Sequence, residues 1–118
     1  LSGYQWTDDP AAAARDADVI VGDVWIPMNK AHEAAARRST LAPYRITSEL
    51  MSLARPQAFF MHNLPANRGD EVTEDVIDGP RSAIYEEAVA RLHIARALLL
   101  HVMHRDALGC LDSLRRAE

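Results

Sequence analysis

Two short apolar segments constrain the fold of this chain more than any other feature. Residues 18–25 have the sequence Asp-Val-Ile-Val-Gly-Asp-Val-Trp, and residues 58–65 have the sequence Ala-Phe-Phe-Met-His-Asn-Leu-Pro. Consecutive apolar residues that end in polar ones are typical of strands buried on both faces. Helix-forming stretches separate the two segments, and strands that alternate with helices indicate parallel βαβ units. The sequence therefore predicts an α/β fold with a parallel sheet.

Two further strands complete the predicted sheet, which then has three or four parallel strands. Residues 82–85 form a short third strand, and residues 4–7 are a candidate strand before the first helix. Ligands of such sheets bind at the carboxyl ends of the strands. We therefore expect functional residues after Val24, after Met61 and after Tyr85.

Capping residues set the predicted helices. An acidic or hydroxyl side chain before a helix accepts hydrogen bonds from its first backbone N–H groups, and proline is favoured in the first turn. Glycine followed by proline ends a helix. The predicted helices are residues 11–16 after Asp8-Asp9-Pro10, residues 30–40, residues 47–53 capped by Thr47, a short helix from Thr73 that Gly79-Pro80 ends, residues 86–103, and an amphipathic turn or two within residues 106–115.

Composition excludes several classes of protein. The 118 residues carry 13 Lys and Arg against 17 Asp and Glu, a formal charge of −4, and 48% of them are hydrophobic. This excludes a disordered tail and a nucleic-acid binder held by positive charge. The single cysteine, Cys110, excludes a disulfide framework and suits the reducing cytoplasm. No unbroken run of hydrophobic residues exceeds four, as in residues 97–100, which is far too short to span a membrane. We expect a cytoplasmic protein with no nucleic-acid or membrane partner.

Polar residues follow both apolar segments. Asp23 comes directly after Gly22, and a carboxylate there either binds a substrate ammonium group or caps the following segment. His62 and the three residues after it offer an imidazole, an amide and backbone carbonyls. The structural alternative for His62 is a buried histidine with satisfied hydrogen bonds.

The long predicted helix carries one misplaced charge. Arg91 lies on the face formed by residues 88, 92, 95, 98, 99 and 102, which is expected to pack on the sheet. A guanidinium on an apolar face is costly unless it is paired or binds an anion or carbonyl group. The alternatives are therefore an arginine that extends to solvent and pairs with Glu87, or a ligand-binding residue.

Other kinds of site lack support. His101 and His104 are one helical turn apart, but no third ligand accompanies them, so no metal is expected. The sequence has no GxGxxG or GxxxxGK[ST] motif, so it lacks the glycine-rich loop that cradles a dinucleotide or nucleotide phosphate. No GxSxG motif surrounds Ser39, Ser48 or Ser82, so a hydrolase is not indicated either.

Four stretches together resemble the aspartate/ornithine carbamoyltransferase family, and within it the ornithine carbamoyltransferase type. Residues 68–82 resemble the family pattern Arg-Gly-Glu-Glu-Val-Thr-x-x-Val-Ile-Asp-Gly-Pro-x-Ser. The resemblance covers nearly the whole chain, in order and at compatible spacing. It implies a Rossmann-like three-layer α/β sandwich with a mostly parallel sheet, incomplete at its amino-terminal side. The other stretches are residues 18–28, residues 62–65 (family His-Cys-Leu-Pro) and residues 86–93, which end in Arg-Leu-His.

The resemblance implies a role for each motif. In the family, the arginine of the last motif contacts carbamoyl phosphate, and the His-Cys-Leu segment surrounds the carbamoyl group and the attacking amine. The Asp of Asp-x-Trp and the following Ser-Met pair bind the amino-acid end of ornithine. No metal or organic cofactor takes part. The matching residues are His62, Asn63 and Arg91 as catalytic residues, Asn63, Leu64 and Arg91 at carbamoyl phosphate, and Asp23, Pro27 and Met28 at the amine substrate.

This sequence departs from the family pattern mainly on the acceptor side. Asn63 stands where the family has Cys, Pro27 where it has Ser, and Asn29 where it has Gly. Pro27 offers neither a hydroxyl nor a backbone N–H. Residues 89–90 replace Glu-Asn before Arg91. We therefore hypothesise that the chemistry of carbamoyl phosphate is retained while the acceptor is not necessarily ornithine.

The resemblance covers only the carboxyl-terminal part of the family. Residues 1–118 are expected to form an amine-binding domain portion, without the amino-terminal domain that carries the family's phosphate-binding Ser-x-Arg-Thr loop. The chain alone is then expected to be inactive, and the full-length protein to be a homotrimer. The alternative is a catalytically silent relative that acts as a binding or regulatory protein. A dinucleotide-binding module is disfavoured because its glycine motif is missing.

Overall fold

A computed structural model describes the backbone of residues 3–115 and the side chains of residues 3–104. The chain divides into two compact units, one up to Tyr85 and one from Glu86 onward. Two of the helices are of the tighter 3-10 type. In chain order the elements are α1 (Pro10–Ala14), β1 (Val19–Gly22), a 3-10 helix (Met28–Glu33), α2 (Ala34–Leu41), a second 3-10 helix (Ala42–Tyr44), α3 (Ser48–Leu53), β2 (Phe59–His62), α4 (Glu74–Ile77) and α5 (Ile84–Arg115).

The sheet is parallel, as predicted, but smaller. β1 and β2 pair in register from Val19 opposite Phe59 to Gly22 opposite His62. Over the described residues the sheet has two strands, so the expectation of three or four was wrong. Ser82 makes a single parallel bridge to Phe60, and α5 begins two residues later, which ends the pairing.

The proposed strand at residues 4–7 is absent from the described structure. These residues have no regular secondary structure, and Tyr4 and Trp6 are 86% and 77% exposed. Aromatic residues favour strands only where they pack against neighbouring strands, and here they pack against little. The prediction failed because intrinsic preference alone does not supply a partner strand.

Capping positions were predicted well. The Asp9 carboxylate accepts a hydrogen bond from Ala11 N–H at 2.9 Å at the start of α1. The Thr47 hydroxyl accepts one from Leu50 N–H at 3.3 Å at the start of α3. Residues 30–40 are helical as predicted, although the 3-10 helix forms the first part and α2 the rest.

One face of the sheet carries the core of the first unit. Phe60 is fully buried and packs with side chains from α3, α4 and the start of α5. On the other face Val21 is 63% exposed, so the expected burial of both faces was wrong over the described residues. Runs of apolar residues specify that a strand is hydrophobic on two sides, but not that both sides are covered. The core residues are Ile46, Met51, Phe60, Val72, Val76, Ile77 and Ile84.

The long helix is one continuous element from Ile84 to Arg115 rather than a helix followed by a separate turn. Its predicted apolar face is not buried, since Leu92, Leu98 and Leu99 are 58%, 60% and 64% exposed. A helical period shows which side chains share a face, but not what covers that face. The predicted contacts of Leu108, Leu111 and Leu114 lie outside the described side chains. In the described part of the chain, no helix combines the length and apolar character needed to cross a membrane.

Candidate functional site

The carboxyl ends of β1 and β2 lie side by side. Gly22 and His62 are register partners, and Asn63 N–H donates to the Gly22 carbonyl at 3.3 Å. Asp23 and Asn63, which follow these partners, therefore leave the same edge of the sheet. Both side chains are exposed. The structure thus brings together the two strand ends that the sequence analysis had identified separately.

His62 faces a buried carboxylate. Its side chain is 0% exposed and that of Glu71 is 2% exposed, with 3.8 Å between His62 Nε2 and Glu71 Oε1. The same carboxylate oxygen accepts a short hydrogen bond from Asn67 N–H. Buried polar groups are costly unless they have partners, so Glu71 fixes the surroundings of the imidazole. Sequence reasoning had no role for Glu71. A buried histidine after a strand signals that some polar partner is needed.

Gly22 is required by the position of His62. A Cβ added at Gly22 would lie 2.7 Å from His62 Cδ2 and 3.2 Å from Ile46 Cδ1. A Cβ only 2.7 Å from the ring is too close, so no side chain fits at Gly22 unless the imidazole moves. The sequence showed a glycine at the end of a strand, but only the packing of the neighbouring strand explains it.

The segment after β1, residues 23–28, is named the β1 loop here. Asp23 Oδ1 accepts a hydrogen bond from the adjacent Val24 N–H at 2.8 Å, and the next helix begins only at Met28. The carboxylate is exposed as well, so this bond and ligand binding are compatible. Pro27 is partly buried, and Met28 is 95% exposed at the start of the first 3-10 helix.

Trp25 anchors the β1 loop, with an exposed fraction of only 8%. The Arg45 guanidinium carbon lies 6.0 Å from the centroid of its ring. The Arg37 guanidinium lies 3.5 Å from the Trp25 carbonyl oxygen and pairs with the Glu33 carboxylate at 2.8 Å. Hydrogen bonds from Lys30 and then Arg37 hold the pKa of the Glu33 carboxyl below its ordinary value.

The segment after β2 is tied down by its own contacts. Leu64 N–H donates to the His62 carbonyl at 2.8 Å, and the Leu64–Pro65 peptide bond is cis. Further along, Arg68 binds Asp78 through two nitrogens, at 2.8 and 2.7 Å. This pairing raises the pKa of Arg68 and lowers that of the Asp78 carboxyl.

The remaining predicted site residue lies on α5. Arg91 is in the second turn of that helix and is exposed, as are His101 and His104 further along. Among residues 3–104, no three His, Cys, Asp or Glu side chains form a group that could hold a metal ion. The strand ends therefore present an exposed carboxylate, Asp23, and an exposed amide, Asn63, whereas the imidazole of His62 is buried beneath them.

Comparison with known proteins matches these motifs to one family. Residues 2–102 match the family model described as aspartate/ornithine carbamoyltransferase, Asp/Orn binding domain. The ornithine carbamoyltransferase of Methanosarcina acetivorans is 47% identical over 97 residues, which cover 82% of this chain and 32% of the relative. That of Bradyrhizobium diazoefficiens is 50% identical over 91 residues, covering 77% and 29% respectively. The chain thus spans about a third of the length of the curated relatives it matches.

Solved structures agree in fold. The ornithine carbamoyltransferase from Pyrococcus furiosus superposes with a TM-score of 0.72 at 47% sequence identity. The match covers 78% of this chain and 29% of that chain. The α/β fold with a parallel sheet is therefore confirmed.

Proposed function

The chain belongs to the aspartate/ornithine carbamoyltransferase family, and we propose that it forms the amine-binding part of a carbamoyltransferase. The full-length protein then transfers the carbamoyl group of carbamoyl phosphate to the amine of ornithine or a related amino acid. Ornithine would give citrulline and phosphate. The observation that carries this proposal is the shared edge of Asp23 and residues 62–64, where Asn63 N–H donates to Gly22 at 3.3 Å.

The acceptor is held from the β1 loop. The Asp23 carboxylate is exposed and suits the ammonium group of an amino acid, since hydrogen bonds between ionised groups are the strong ones. Pro27 and Met28 flank that end of the acceptor. With its charged end bound, the acceptor's reacting amine reaches towards the end of β2.

The carbamoyl group is held from the end of β2. The Leu64 carbonyl accepts a hydrogen bond from the attacking amine, and the exposed Asn63 amide meets the carbamoyl oxygen. His62, which the resemblance assigns to the same group, is buried in this structure and would support the end of β2 from within. The family resemblance assigns the positive charge for the carbamoyl and phosphate oxygens to Arg91. Glu71, 3.8 Å from His62 Nε2, keeps the imidazole in place.

The reaction needs no covalent intermediate. The amine nitrogen attacks the carbamoyl carbon, a C–N bond forms, the bond from that carbon to the phosphate oxygen breaks, and the amine proton leaves with the phosphate. Holding both reactants in line accelerates such a step, and charged donors stabilise the oxygens that gain charge. No metal or organic cofactor is part of the proposal. We also propose a cytoplasmic homotrimer for the full-length protein.

The identity of the acceptor amine is a separate part of the proposal. Asn63, exposed just after β2, stands where the family has a thiol, and Pro27 removes a hydroxyl and an N–H within the β1 loop. Both changes alter the hydrogen bonds that an acceptor amine can make. The acceptor is therefore not necessarily ornithine itself.

A panel of amines tests the function and the acceptor together. The full-length protein is incubated with carbamoyl phosphate and each amine, and the ureido product and released phosphate are quantified. Product from at least one amine supports carbamoyl transfer, while ornithine as clearly the best acceptor contradicts the altered specificity. The isolated 118-residue chain is expected to give no turnover, because it carries only the Asp/Orn binding domain.

A second candidate function rests on the same two substitutions. Pro27 and Asn63 remove groups from the reacting side while Asp23 stays exposed, which suits a silent relative that binds an amino acid. Binding of ornithine without product from any amine would favour this candidate.

A further inference from the structure

Trp25 is the fixed point of the β1 loop. Its side chain is 8% exposed, whereas Met28 at the far end of the loop is 95% exposed and Asp23 is exposed as well. The indole lies between these two exposed residues along the chain. A firmly held indole therefore limits where Asp23 and Met28 can lie.

Arg45 contacts both the indole and the segment that carries Glu71. Its guanidinium carbon is 6.0 Å from the Trp25 ring centroid, a distance at which a cation is attracted to an aromatic face. Its Nε donates to the Asp70 carbonyl at 2.8 Å. A half-buried arginine with both contacts cannot move without disturbing one of them.

The neighbouring contacts extend this connection to His62. Ile46 N–H, one residue after Arg45, donates to the Glu71 carbonyl at 2.9 Å. Glu71 in turn faces His62 at 3.8 Å. Residues 45–46 therefore bind both members of the Asp70-Glu71 pair. The bond to Glu71 comes from the Ile46 backbone, so it does not need the Arg45 side chain.

We propose that Arg45 is a positioning residue that sets the β1 loop, through Trp25, for binding of the acceptor amine. The inference rests on the proposed function, because it assigns Asp23 to the acceptor. Arg45 does not touch the reacting atoms in this arrangement. Its loss therefore weakens acceptor binding and leaves the chemical step and the binding of carbamoyl phosphate nearly unchanged. Arg37 is the weaker support, since its contact with the Trp25 carbonyl is long at 3.5 Å.

Kinetics of three variants of the full-length protein test this role. Arg45→Gln removes the charge over the indole and is expected to raise the KM for the acceptor about fivefold, with kcat changed less than about twofold. Arg45→Lys restores a cation near the ring and is expected to limit the rise to about twofold. Arg55→Gln is the matched control, because Arg55 pairs with Asp18 at the opposite end of β1. It is expected to change neither constant.

Fluorescence of Trp25 gives a second readout that does not depend on turnover. The Trp25 signal is taken as the emission that a Trp25→Phe variant loses. Arg45→Gln is expected to increase the quenching of this signal by iodide, while Arg55→Gln does not. A wild-type protein that makes product, together with an unchanged acceptor KM in Arg45→Gln, would overturn the inference. Wild-type protein without any product would contradict the proposed function instead. In that case unchanged quenching in Arg45→Gln would show that Arg45 does not position the β1 loop, and increased quenching would support that it does.

Discussion

The adjacent ends of β1 and β2 are built in opposite ways. At the end of β2, His62 is completely buried and faces a buried carboxylate, Glu71. After β1, Asp23 is exposed and its side chain bonds the next backbone N–H. The first arrangement is fixed by the cost of leaving buried polar groups without partners. The second is held within its own loop, by the Val24 N–H and beside the buried Trp25. Stability and ligand binding should therefore respond differently at the two ends.

Removal of Glu71 is expected to have the largest effect on stability. Glu71→Ala takes away the buried carboxylate opposite His62 and the acceptor for Asn67 N–H, and should lower the free energy of unfolding by about 3 kcal/mol. Glu71→Gln keeps the volume and an acceptor oxygen, so its loss should be smaller. Urea denaturation measures both. A loss below about 1 kcal/mol for Glu71→Ala would show that the end of β2 does not depend on this pair.

Gly22 tests the close approach of the two strands. In Gly22→Ala the new Cβ would lie 2.7 Å from His62 Cδ2, so the imidazole must move, at a cost of about 2 kcal/mol. Gly3→Ala is the control, because nothing lies within 4 Å of a Cβ added there. Equal midpoints of thermal unfolding in the two variants would contradict the crowding at His62.

Asp23 tests the other end. Because its side chain is exposed, Asp23→Asn should change the free energy of unfolding by less than about 0.5 kcal/mol. The same variant should lower kcat/KM for the acceptor about tenfold, because an amide replaces the charge that meets an ammonium group. Denaturation and steady-state kinetics of one preparation give both values. A large loss of stability with unchanged kinetics would show that Asp23 serves the fold rather than the ligand, contrary to the contrast drawn between the two strand ends.

The smallest expected effect is the loss of stability from the surface pair of Arg68 and Asp78 in acid, and its direction follows from the pKa of Asp78. The Arg68 guanidinium holds the pKa of the Asp78 carboxyl below its ordinary value. A lowered pKa in the folded protein means that the pair stabilises the fold above the ordinary carboxyl pKa, and that this contribution is lost as the pH falls through the lowered value. The small stability difference between wild type and Asp78→Asn should therefore shrink below about pH 4. Denaturation at pH 7 and pH 3 checks this. A difference that grows towards acid pH would contradict the assignment.

Local features of the fold were predictable because they depend on near neighbours. Asp9 and Thr47 begin helices by bonding N–H groups two and three residues away. The two strands were recognised from consecutive apolar residues. The predicted third strand is reduced to a single bridge between Ser82 and Phe60, because α5 begins two residues after Ser82.

The site was predictable in part for the same reason. Asp23 and His62 were identified because polar residues after buried strands collect at one edge of a parallel sheet. The contacts around these residues could not be predicted from the sequence. Glu71 is nine residues from His62, and Arg45 is twenty residues from Trp25 along the chain. No periodicity or capping rule reports such pairs.

The sequence by itself determined the α/β class, the parallel order of β1 and β2, the capped helix starts and the polar residues at the strand ends. Each of these follows from hydrophobic patterning and from hydrogen bonds within a few residues. Only the tertiary structure decided that His62 is buried against Glu71, that Gly22 has room for no side chain, and that Arg45 supports Trp25. Such contacts arise because folding brings distant segments together, and their strength depends on burial that no local pattern specifies.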